Sequence, residues 1–104
     1  MVTLQIGNDS REIRTKSDID ETWINQQINR RRAEGQKVCV RVTIDEGNVR
    51  LLLATPGCET GIGSPRPLNS SERDLFELWS GRGLDRIDFT GGSVIAFLRQ
   101  MPQL

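Results

Sequence analysis

The sequence predicts an α+β domain: a four-stranded, mostly antiparallel sheet from two β-hairpins, in the order ββαββαα, packed by one long and two shorter helices. Three observations carry this. The stretch KVCVRVTIDEGNVRLLLAT alternates β-branched and polar residues on either side of an Asp-Glu-Gly-Asn turn. Three other segments place apolar residues at helical spacing behind capping residues. Between the second hairpin and the second helix runs TPGCETGIGSPRP, Thr55 to Pro67, whose glycines and prolines suit neither element.

Taken in order, Val2, Leu4 and Ile6 share one face of a first strand, Gly7-Asn8-Asp9 turns the chain, and a return strand around Arg11 to Thr15 carries Ile13 inward. Ser17 is the expected N-cap of the long helix, with Asp18, Asp20 and Glu21 in its first turn. Ile19, Trp23, Ile24 and Ile28 make its apolar stripe, and the helix stops at Gly35.

In the second hairpin a two-residue Glu46-Gly47 loop is expected. It opposes Asp45 to Asn48, Ile44 to Val49, Thr43 to Arg50, Val42 to Leu51 and Arg41 to Leu52. One face then collects Val38, Val40, Val42, Ile44, Val49, Leu51 and Leu53, while the other carries Cys39, Arg41, Thr43, Arg50, Leu52 and Ala54. The second helix starts near Asn69 or Ser70, where Asn69 and Glu72 have capping-box spacing, and runs through Leu75, Phe76, Leu78 and Trp79 to Gly81. The third is capped by Thr90 or Ser93, carries Val94, Ile95, Phe97, Leu98 and Met101, and closes at Pro102. Apolar residues cover most of its circumference, so it is either deeply packed or shared with a partner.

A length of 104 residues fits one domain over 1–104 with a flexible connector at 55–67. Such a chain buries roughly 65% of its extended surface on folding, enough for one modest core. Hydrophobic and charged fractions of 36% and 27% are those of a globular chain, and no apolar run reaches the length of a membrane span. The start, MVTLQIGNDSREIR, shows no basic segment followed by a long apolar block, so a cytoplasmic location is expected. Cys39 and Cys58 have no CxxC spacing and no disulfide-scaffold density, which makes reduced thiols the expectation.

Absences narrow the chemistry. With neither histidine nor tyrosine in the chain, Ser-His-Asp and Cys-His nucleophiles, imidazole acid-base catalysis and histidine-containing zinc sites are excluded. Fourteen basic residues balance fourteen acidic ones, so nucleic-acid binding would have to be local.

The connector fails as a phosphate cradle. Ile62 stands where a P-loop that began at Gly57 needs glycine, and Arg66 where a dinucleotide fingerprint from Gly61 and Gly63 needs its third. Cys58 in the connector is a candidate thiol nucleophile, but adjacent Glu59 disfavours the thiolate; Cys39 reads as a small packing residue. Arg30, Arg31 and Arg32, with Arg14, Lys16 and Lys37, are candidate phosphate contacts on RNA or DNA. They also suit the last turn of a helix, where the macrodipole favours cations. Arg41, Thr43, Arg50 and Leu52 share a sheet face that combines cations with aliphatic area, a candidate docking surface or simply a solvated face. Asp85 and Asp88 are spaced carboxylates in a loop without defined geometry. Gly91, Gly92 and Ser93 could offer free amides to a small anion or belong to an ordinary capped helix.

The expectation is therefore a small non-catalytic protein-interaction module without cofactor, metal or membrane contact, whose partner is another protein or a second copy of itself. Local RNA or DNA binding through Arg30 to Arg32 is the alternative, and an enzyme using Cys58 or a carboxylate comes third.

Overall fold

Val2, Leu4 and Ile6 alternate with Thr3 and Gln5, and this period of two forms strand β1 (Val2–Ile6), its apolar residues buried. A computed structural model describes residues 1–55, 58 and 67–101; most of the expected 55–67 connector, and Pro102, lie outside them. Strand β2 (Asp9–Ile13) follows a two-residue Gly7-Asn8 loop. It starts two residues earlier than the expected return strand because Gly7, at φ +61°, makes the turn tighter than a three-residue loop.

After β2 the carboxylate of Asp18 accepts from the Arg14 and Thr15 amides and ties down a 3-10 turn at Lys16–Asp18. Helix α1 (Glu21–Ala33) therefore begins later than expected, and Asp20 replaces Ser17 as its N-cap, accepting from the Trp23 amide at 3.0 Å. At its far end the Gly35 amide donates to the Arg32 carbonyl and the Gln36 amide to that of Arg31.

Strands β3 (Val40–Glu46) and β4 (Val49–Ala54) form the second hairpin. Its loop is Gly47-Asn48 and not Glu46-Gly47, so Arg41 opposes Ala54, Thr43 opposes Leu52, Ile44 opposes Leu51 and Asp45 opposes Arg50. Gly47, again at φ +61°, takes the first central position, which a two-residue hairpin loop favours for glycine. Relative to the expectation each partner moves by two residues, which leaves every side chain on its expected face. The sheet is fully antiparallel in the order β2-β1-β3-β4, with Val2 opposite Ile44 and Leu4 opposite Val42 at its centre.

Helix α2 (Ser70–Ser80) has the expected capping box: Asn69 accepts from the Glu72 amide at 2.8 Å and Glu72 accepts from the Asn69 amide at 3.1 Å. A 3-10 turn at Leu84–Arg86 leads to helix α3 (Gly91–Leu98), where Thr90, not Ser93, is the cap. Ile24, Ile28, Leu75, Trp79, Val94, Phe97 and Leu98 meet the sheet's Val2, Leu4, Ile6, Val40, Val42, Ile44 and Leu51 in one core. The three helices thus lie on one side of the sheet. Helix α3 is deeply packed, with Val94, Ile95, Phe97 and Leu98 all buried, as is Met101 just after it, so it offers a second copy no apolar stripe. Among the described residues no helix is long and apolar enough to cross a membrane.

Candidate functional site

The sheet face away from the helices carries Glu12, Thr3, Thr43 and Leu52 in one row and Ser10, Gln5, Arg41 and Ala54 in the next. Of the expected docking residues, Thr43 and Leu52 are cross-strand neighbours here, and Leu52 is 47% exposed. Arg50 pairs with Asp45 at 2.8 Å, which favours its charged form, and stands in solvent. Arg41 does something else. Its Nε and Nη2 donate to the Cys58 carbonyl at 3.2 and 2.9 Å, so its charge holds a neighbouring segment of its own chain.

That segment corrects the cysteine expectation. Thr55 ends the hairpin by bonding Val40 through both its amide and its hydroxyl, and the Cys58 amide then donates to the Thr55 carbonyl. The turn brings Cys58 to Cys39, Cα to Cα 5.3 Å, and the two form a disulfide. Cys58 is buried and is no thiol nucleophile; Cys39 is half of a cross-link and not a free packing residue. The signal was available: both cysteines lie at the end of the hairpin opposite its turn.

The three arginines of α1 do not converge. Arg30 donates to Gln27 Oε1. Arg31 is largely buried against Gly7, its Nη1 donating to the carbonyl and side-chain oxygens of Gln27 and its Nη2 to Asp9 at 3.0 Å. Only Arg30 and Arg32 remain exposed. Arg31 is a clamp between α1 and the first hairpin turn.

Asp88 accepts from the amide and hydroxyl of Thr90, and those bonds hold its carboxyl below the usual carboxylate range, as the Arg14 and Thr15 amides do for Asp18. Asp88 is thus part of the N-terminal cap of α3, while Asp85 is exposed on the preceding turn. Among the described residues no group of three or more acidic or cysteine side chains could hold a metal ion.

Sequence reasoning missed the cleft between the end of α2 and α3. Trp79 is buried behind two of its lining residues, its ring 5.5 Å from that of Phe97 and under the Arg82 guanidinium at 4.6 Å, its Nε1 donating to Glu46 at 3.1 Å. Arg82 Nη1 and Ser80 Oγ are buried without a hydrogen-bond partner among the described residues. Their neighbours Gly81 and Gly83 read in sequence only as helix breakers, so nothing marked Arg82 as enclosed. Comparison of the chain with family models, curated proteins and solved structures finds no match.

Proposed function

We propose that this chain is a non-catalytic protein-interaction module that docks through strand β4, pairing it with β4 of a second copy. The carrying observation is an asymmetry between the two sheet edges. Outer strand β2, DSREI, presents three charged residues in five; outer strand β4, VRLLLA, has Arg50 as its one charge in six and the exposed Leu52 at its middle. Charged residues guard an edge against strand addition, and an apolar edge invites it. A two-fold axis through Leu52 sets Leu52 against its copy on the open face and Leu51 against Leu53 on the helix side. Arg50 then opposes Ala54, so like charges are not directly paired.

The mass in solution, measured by light scattering across a dilution series, tests this. A dimer that Leu52→Glu converts to a folded monomer supports the reading. A wild-type chain that stays monomeric throughout, or a Leu52→Glu chain that stays dimeric, overturns it.

A cytoplasmic location is the expectation the sequence raises, and the Cys39–Cys58 bond argues against it, because reducing thiol pools keep cysteines free. Alkylation in intact cells before lysis decides the matter. Free thiols support the cytoplasm, and a closed bond supports an oxidising compartment.

A further inference from the structure

The cleft of about 290 Å³ between the end of α2 and α3 has the chemistry of an anion site. Arg82, Arg86, Ser80 and Gln100 line it on the polar side, Phe97 and Ile87 on the apolar side, and no carboxylate is among its lining residues. The acidic groups on the segment joining α2 to α3 are accounted for: Asp88 is engaged by Thr90, and Asp85 is exposed on the turn that carries Arg86. Glu46, exposed at the end of β3, accepts from Nε1 of Trp79, the ring on which Arg82 stacks.

Two atoms distinguish this cleft from an ordinary dimple. Arg82 Nη1 and Ser80 Oγ are both removed from solvent and both lack a partner among the described residues, although buried donors in folded proteins are nearly always satisfied. The Arg82 guanidinium is held in place by stacking on Trp79, so the donor is fixed before anything arrives. A guanidinium plus a hydroxyl, with a second arginine and an amide also among the lining residues, offers more donors than the two oxygens of a carboxylate need and suits the oxygens of a phosphate. The volume exceeds that of a bare ion and leaves room for a small apolar body against Phe97 and Ile87.

We propose that this cleft binds a small phosphate monoester, its phosphate held by Arg82 and Ser80 with Arg86 supplying further positive charge and its organic part packed against Phe97 and Ile87. The site is independent of the β4 edge, and its test does not depend on the oligomeric state.

The experiment is a titration of isotope-labelled protein followed by NMR, with phenyl phosphate, inorganic phosphate and benzoate as probes. Phenyl phosphate is expected to saturate, shifting the Gly81, Arg82 and Gly83 amides, with inorganic phosphate weaker and benzoate weaker still. Arg82→Gln is expected to reduce the phenyl phosphate affinity about tenfold or more, the loss of a charge-assisted contact, while the remote Arg50→Gln leaves it unchanged. Ser80→Ala, a change that removes only the hydroxyl, gives a second reading should Arg82→Gln fail to fold; it is expected to weaken phenyl phosphate without altering the spectrum elsewhere. Non-saturating shifts spread over all arginines, benzoate binding as well as phenyl phosphate, or full affinity in a folded Arg82→Gln or Ser80→Ala protein overturns the proposal.

Discussion

Gly7→Ala and Gly47→Ala are the same change in the same kind of turn, yet they are expected to differ in cost by about 2 kcal/mol, the worth of a charged side chain's hydrogen bonds. Both glycines sit at φ +61°, where a Cβ is strained by about 1–2 kcal/mol, offset in part by the reduced freedom of the unfolded chain. At Gly47 nothing lies within 4 Å of the added carbon. At Gly7 the new Cβ falls 2.6 Å from Arg31 Nε and 2.8 Å from its Nη2. Arg31 cannot swing away freely, because it donates twice to Gln27 and once to Asp9 and its side chain is only 12% exposed. Urea unfolding reads the difference: with a denaturant slope of roughly 1–3 kcal/mol per molar, the Gly7→Ala midpoint should fall about 1 M below that of Gly47→Ala. In an Arg31→Ala background the two glycine changes should cost the same. Equal midpoints in the wild-type background would refute Arg31 as the clamp on this turn.

The disulfide closes a sequence separation of 19 residues, so replacing both Cys39 and Cys58 with serine should lower stability by about 3 kcal/mol; thiol titration of the native protein should find no free thiol, and two free thiols would sink the reading. Trp79→Phe keeps a ring beside Phe97 but loses the bond to Glu46 and weakens the stack under Arg82. A loss of about 1–2 kcal/mol in chemical denaturation is expected, and a Glu46→Gln background should shrink it. The depressed acidities of Asp18 and Asp88 stabilise the fold above the unfolded carboxylate value of about 4, and that contribution disappears as pH falls through their lower folded values. Asp88→Asn should therefore lower the urea midpoint at neutral pH and approach the wild type in acid; a gap that is constant with pH would contradict the capping role. Arg50→Ala, at an exposed pair with Asp45, should leave the melting temperature unchanged within error, whereas Arg31→Ala should lower it measurably.

The alternation of Val40, Val42 and Ile44 with Arg41 and Thr43 made the second hairpin and its two faces legible, and the Asn69–Glu72 spacing located the start of α2. The register was less legible for a physical reason: moving a partner by two residues preserves the face of every side chain, so hydrophobic patterning cannot tell Glu46-Gly47 from Gly47-Asn48 as the loop. Only the conformation of Gly47 separates them. The start of α1 was misplaced because Ser17, Asp18 and Asp20 are all competent caps, and the bonds from Arg14 and Thr15 to Asp18 commit that residue to an earlier turn. The Arg82 cleft depends on where chain segments return, which local composition does not encode.

Three hairpin ends are held by a polar or covalent clamp. Arg31 grips the first turn at Gly7 and Asp9, Trp79 holds the second at Glu46, and the disulfide with Arg41 secures the open end of the second hairpin. In a domain with one modest core these ties act where few apolar contacts reach, and they occupy side chains that, read from sequence alone, resemble binding residues. Arg31 and Arg41 spend their donors inside the chain, and Arg30, Arg32 and Arg50 stand in water, which satisfies an exposed guanidinium at no cost to the fold. Arg82 meets neither condition: its Nη1 is screened from solvent and has no acceptor among the described residues. A donor left in that state lowers stability, so an acceptor of matching geometry that reaches it recovers the loss as binding energy. The arginine least conspicuous in the sequence is therefore the one whose surroundings favour a ligand most.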